Sequence, residues 1–173
     1  LLGVTLEHLG KSSEAFSLFE QLLAESSNSE TARSYYVNIA IRMGFFDKAE
    51  VQIRDGLANA KPKERLNLLG TLFQLLMAEG TRLDLIEETA WEFGRAANVN
   101  DEVEEGAFLQ QYLFATQRED APKIAERIED FKQRFDQFFT KFPNSKVLWR
   151  AEMPSDGTAD ELFSSLLDAV GLT

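Results

Sequence analysis

Apolar residues recur along most of this chain at intervals of three and four, the spacing of a single helical face. Residues 12–26 place Ala15, Phe16, Phe19, Leu22 and Leu23 on such a face. Ten glycines and four prolines cut the pattern into short segments. Gly10, Gly44 and Gly80 read as stops, because glycine enters the left-handed conformation that closes a helix without steric penalty. Start signals lie between the stops. "SNSE", Ser27 to Glu30, reads as a capping box, with a hydroxyl accepting a backbone N–H and a carboxylate reaching back. Asp47 with Glu50, Pro62, Thr81, Asn100, and Asp120 with Pro122 mark further starts. The resulting helices cover 1–9, 12–26, 29–43, 47–60, 63–79, 82–97, 101–117 and about 120–142. Linkers of a few residues fold consecutive helices back on one another, so the chain reads as all-α, with hairpins over approximately 1–26, 29–60, 63–97 and 101–142.

The pattern changes after residue 142. Val147, Trp149 and Ala151 alternate with Leu148, Arg150 and Glu152, which predicts a short extended segment. Asp156-Gly157 is a turn, and Thr158 with Glu161 forms a second capping box. A last amphipathic helix then points Leu162, Phe163, Leu166, Leu167 and Val170 inward and ends at Gly171. This tail, residues 146–173, is expected either to cover the exposed end of the helical array, with Trp149, Leu162, Phe163 and Leu166 against the preceding helix, or to lead into a further domain.

Within the first two hairpins one spacing repeats. Gly10 and Gly44, Ala15 and Ala49, and Phe19 and Ile53 are each separated by 34 residues. A fixed period of that size is the mark of stacked helical units. The glycine turns the chain, the alanine lets two helices approach closely, and the larger residue one turn on fills the groove beside them. "LLGVTLEHLGKSSEAFSLFEQLL" and "YVNIAIRMGFFDKAEVQIRDGLANAKP" resemble the tetratricopeptide repeat family in this respect. Leu2, Gly3, Gly10, Ala15 and Phe19 carry the first match; Tyr36, Ala40, Gly44, Ala49, Ile53 and Pro62 carry the second. The second copy departs from the family pattern at Val37, in place of glycine, and at Gly56, in place of alanine. Beyond residue 62 the resemblance reduces to Leu69-Gly70, hairpin spacing and the closing "FPNS".

The resemblance implies a curved stack of four helical hairpins, with the first helix of each lining a concave groove for a peptide or a partner's helix. Carried over residue by residue, the groove positions are Glu7 and His8 in the first unit, Ser34, Asn38 and Arg42 in the second, and Asn67, Thr71 and Gln74 in the third. Family members that clamp a carboxylate carry asparagine at the position of Asn38, together with a lysine and an arginine in the next unit. Asn67 and Thr71 stand at those two places here, which argues against a carboxylate clamp.

Charge narrows the partner. Eighteen basic and 29 acidic residues give a formal charge of −11, a field that repels phosphate backbones and anionic membranes. Nucleic acid and membrane are therefore disfavoured partners, and no apolar run reaches the roughly 20 residues of a membrane-spanning helix. Cysteine is absent, which removes disulfides, thiolate nucleophiles and Cys-ligated zinc and suits a reducing cytoplasm. The chain begins at Leu1 in what reads as mid-helix, so it is expected to be an excerpt of a larger multidomain protein.

Candidate chemistry adds little. His8 is the single histidine, too little for a His-based metal site. "DEVEE", Asp101 to Glu105, suits a helix start, where carboxylates meet the positive end of the dipole, and lacks the spacing of a calcium loop. No glycine-rich phosphate loop, nucleophile elbow or His-Glu-x-x-His helix occurs. No catalytic, metal or cofactor-binding residue is assigned and no cofactor is expected. Phe131, Phe135, Phe138, Phe139 and Phe142 share one helical face and read as core, with an exposed partner surface as the alternative. Lys123, Arg127, Lys132, Arg134 and Lys141 form the one basic concentration on that helix. The expected function is a non-catalytic protein-interaction scaffold. The alternative is a regulatory helical segment that packs in cis on a catalytic or nucleic-acid-processing domain.

Overall fold

The computed structural model describes residues 2–26, 29–99, 107–142 and 158–172, and these are helices joined by turns, with no strand among them. The helices are α1 (Leu2–His8), α2 (Ser12–Glu25), α3 (Glu30–Arg42), α4 (Phe46–Asn59), α5 (Pro62–Glu79), α6 (Leu83–Val99), α7 (Ala107–Thr116), α8 (Ala121–Lys141) and α9 (Ala159–Ala169). All-α character agrees with the periodicity. The extended segment expected at 146–152 and the acidic run Asp101 to Glu105 lie outside the described residues. The chain forms two compact units, Leu1–Glu79 and Gly80–Thr173. The hairpin expected over 63–97 therefore takes one helix from each unit.

In the first unit each helix packs on the next, α1 on α2 through α4 on α5. The two glycine stops are superimposable in kind. Gly10 has φ +74° and Gly44 φ +75°. Gly10 N–H donates to Glu7 O and Lys11 N–H to Leu6 O; Gly44 N–H donates to Ile41 O and Phe45 N–H to Ala40 O. This is one Schellman closure made twice. The next helices also begin alike, Lys11 at φ −90°, ψ 54° and Phe45 at φ −87°, ψ 57°, neither using a side-chain cap. Asp47 thus sits in the first turn of α4 and does not cap it, because the preceding closure already sets the chain's entry angle. The residues that follow are equivalent in burial: Ala15 and Ala49 are fully buried, as is Ile53, with Phe19 nearly so.

Ser29 caps α3, its hydroxyl accepting from Ala32 N–H at 3.3 Å; Ser27, the expected start of a capping box, lies outside the described residues. Gly3 has a packing role. A Cβ built there would come within 2.5 Å of Phe19 Cζ, so the Phe19 ring lies directly on the α1 backbone. The same ring stacks on Tyr35 of α3, 5.2 Å between centroids and 10° between planes. Phe16 stacks in the same way on Tyr36 at 4.6 Å.

The equivalence of the two turns yields a quantitative expectation. Added Cβ atoms at Gly10 and Gly44 would meet nothing within 4 Å, so alanine pays only the left-handed backbone cost, roughly 1–2 kcal/mol. Gly10→Ala and Gly44→Ala should lower stability by the same amount within about 0.5 kcal/mol. Urea titration of the two variants checks this; a twofold difference would mean that the turns are not equivalent.

The second unit is built on aromatic side chains. Phe131 and Phe135 are fully buried and Phe138 nearly so; Phe139 and Phe142 are half-buried at the edge of the same face. Trp91 of α6 lies 4.9 Å from Phe131 and 5.6 Å from Phe138, ring to ring. Phe163 of α9 lies 6.2 Å from Phe131 and 5.4 Å from Phe135. With Leu162 and Leu166 also buried, α9 covers the phenylalanine stripe of α8. Trp149, expected beside them, lies outside the described residues. The capping box at Thr158 and Glu161 is present in both directions, and Lys132 Nζ ties α8 to α9 by donating to Asp160 Oδ1 at 2.7 Å. Bonds to the Thr158 N–H and hydroxyl hold the Glu161 carboxyl below the usual carboxylate range.

Candidate functional site

The first unit has an open cavity of about 110 Å³ between α3 and α5. Four of the eight groove positions read from the sequence line it: Ser34 and Asn38 from α3, Asn67 and Thr71 from α5. They come together because each lies one helical turn from the next on its own helix, and because α4 lies behind both helices, contributing Ile53 to the floor. Two of the polar groups are set by local bonds. Asn38 Nδ2 donates to Ser34 O at 2.9 Å, and Thr71 Oγ1 donates to Asn67 O at 2.9 Å. These backbone-directed bonds fix the rotamers. They leave the Asn38 side-chain carbonyl and the Thr71 lone pairs as acceptors, beside the full donor and acceptor set of the exposed Asn67 amide.

The other four positions do not line this cavity. Glu7 and Arg42 form an ion pair with each other, joining α1 to the end of α3. His8 and Gln74 are exposed. The eight lead-helix positions therefore divide into a convergent polar set of four, a pair that holds two helices together, and two exposed residues.

Sequence reading missed the residues that shape the cavity wall. Arg33 is 7% exposed, and its Nη1 sits 3.5 Å from Glu64 Oε1. The guanidinium crosses α4 to reach α5, which is why position 56 is glycine. A Cβ there would meet Leu68 Cδ1 at 2.9 Å and Arg33 Cδ and Nη1 at 3.1 Å. Glu30 and Glu64 bring two carboxylates to the lining against this one cation. A signal for Arg33 existed, since it falls on the apolar stripe with Tyr36, Val37 and Ala40.

The second unit holds a buried polar cluster. Glu87 is 6% exposed, in line with Leu83, Ile86, Ala90 and Trp91 on the apolar face of α6. Its carboxylate accepts from Trp91 Nε1 at 3.2 Å and from Tyr112 OH at 2.8 Å. Arg134 Nη1 stands 3.5 Å away. Burial first, and the Glu87 charge second, push the Tyr112 phenol well above its ordinary range. Arg127 pairs with Glu119 and, at 2.7 Å, with Asp84. Every group here is engaged by a neighbour, so the cluster reads as structural.

No protein-family model, curated protein or solved structure matches this chain. Function therefore rests on the geometry of its own residues. Among the described residues no group of three or more His, Asp or Glu side chains is arranged to hold a metal ion. No described helix is long and apolar enough to cross a membrane.

Proposed function

We propose that the first unit is a tetratricopeptide-like interaction module that binds an extended peptide across α3 and α5 without catalysing a reaction. The observation that carries this reading is the convergence of Ser34, Asn38, Asn67 and Thr71 on one open cavity between two lead helices. The repeated closure at Gly10 and Gly44 supports the module assignment. Side-chain amides and hydroxyls suit the peptide backbone, which offers alternating N–H and C=O groups in extended form. Two carboxylates against one guanidinium favour a ligand without net negative charge near this point.

The test is selection of peptides from a random display library against the full chain, followed by titration of the best binder. Asn38 and Asn67 are exposed, so Asn38→Ala and Asn67→Ala should fold normally. Together they should weaken binding at least tenfold. Undiminished affinity in the double variant, with unchanged melting, would reject the groove as the binding site.

A further inference from the structure

The second unit carries an open cleft of about 310 Å³ between α6 and the end of α8, at the outer edge of the aromatic core described above. Trp91, Phe138 and Phe142 form its apolar lining; Arg95, Arg134 and Lys141 supply its charge. Helical register accounts for the arrangement. Arg95 lies one turn beyond Trp91 on α6, and Arg134, Phe138 and Lys141 rise in successive turns of α8. No acidic residue lines the cleft.

This local charge is opposite to that of the molecule, which has 29 acidic residues against 18 basic ones. Of the other cations on α8, Arg127 pairs with Glu119 and Asp84 and Lys132 with Asp136 and Asp160, while Lys123 stands exposed in the first turn. Arg134 leans toward Glu87 at 3.5 Å with its side chain 52% exposed. Arg95 and Lys141 have no carboxylate partner among the described residues, although acids outnumber bases along the chain. Lys141 Nζ lies over the Phe142 ring, 5.4 Å from its centroid and inside the roughly 6 Å limit of a cation–π contact. Positive groups left unpaired above an apolar floor match a ligand that carries carboxylates beside apolar or aromatic side chains.

We infer that this cleft binds an acidic, aromatic-containing peptide segment of a partner protein. The volume suits one or two side chains and not the path of a polynucleotide, and the overall charge of −11 opposes a phosphodiester strand at long range. An aromatic residue of the segment rests on the half-buried Phe142 and reaches the edges of Trp91 and Phe138 while flanking carboxylates meet Arg95 and Lys141. The site is in a different unit from the α3–α5 groove and does not depend on that reading.

The experiment uses the full chain with Trp149→Phe, which leaves Trp91 as the sole indole. The probe is an eight-residue peptide alternating Asp or Glu with Phe or Leu. The controls are the same peptide with Lys at each acidic place, inorganic phosphate, and a single-stranded oligonucleotide. The acidic peptide should change Trp91 emission saturably, and raising salt from 0.05 to 0.5 M (roughly a threefold shorter screening length) should weaken it. Arg95→Glu and Lys141→Glu, both at exposed positions, should each reduce affinity tenfold or more with melting unchanged. Asn38→Ala with Asn67→Ala should leave it intact. Equal binding of the lysine peptide, insensitivity to both charge reversals, or tighter binding of the oligonucleotide overturns the proposal. So does phosphate reproducing the full response, or a dimer in sedimentation that Lys141→Glu abolishes, which would assign the cleft to a second copy.

Discussion

Phe131→Ala should lower the stability of the second unit by about 4 kcal/mol, the middle of the range for a buried phenylalanine. The ring is fully buried and meets rings from three other helices: Trp91 of α6, Tyr112 of α7 and Phe163 of α9. Its loss therefore removes apolar burial and leaves a cavity bordered by rigid side chains that collapse poorly. Phe139→Ala, one turn past Phe135 and half-buried, should cost less than half as much. Guanidinium unfolding followed by Trp91 emission in the Trp149→Phe background compares the two. Equal losses would mean that Phe131 is not the centre of this core.

Glu87→Ala should cost about 3 kcal/mol, for a different reason. The substitution strands the Trp91 indole N–H and the Tyr112 hydroxyl, both bonded to this carboxylate, and each buried donor left unsatisfied costs roughly 1–3 kcal/mol. Glu87→Gln keeps an acceptor for one donor but turns an amide N–H₂ toward the other, so a smaller loss of about 1–2 kcal/mol is expected. The ordering Ala worse than Gln, read by the same unfolding assay, separates lost bonding from lost volume; the reverse ordering would contradict it. Alkaline pH should act on the same cluster. The Tyr112 phenol titrates above its ordinary value of 10.0 in the folded chain. The stability linked to it is complete below the unfolded phenol's pKa and is lost as pH climbs past about 10 toward the folded value.

Much of the architecture could be read before any coordinates. Helix stops at Gly10, Gly44, Gly80 and Gly171 were legible because glycine alone enters the left-handed region cheaply, and all four have positive φ. Starts were harder. Ser29 caps α3, and "SNSE" offers two hydroxyls between which sequence alone does not choose. Phe45 precedes α4 with no side-chain cap, because the closure at Gly44 already orients the chain.

Half of the expected groove positions line one cavity. Ser34, Asn38, Asn67 and Thr71 were implied by the family resemblance, and helical register places each pair one turn apart on its helix. Glu7 and Arg42 were indistinguishable from free groove residues because their pairing joins positions on separate helices. Arg33 and Glu87 escaped notice as members of a large charged population. Their distinguishing mark was place and not type, a charged residue in line with apolar neighbours on one helical face. The cleft at Arg95 and Lys141 was hidden because it needs two helices, distant in sequence, side by side.

The matching torsions at Gly10 and Gly44 have a genetic consequence. Removing residues 11–44 in frame would join Gly10 to Phe45, whose backbone conformation is within a few degrees of that of Lys11. Such a splice calls for no new loop, and the reverse event inserts a module as smoothly. Unequal crossing-over at this point would therefore lengthen or shorten the ancestral gene while conserving the direction in which the polypeptide leaves each bend.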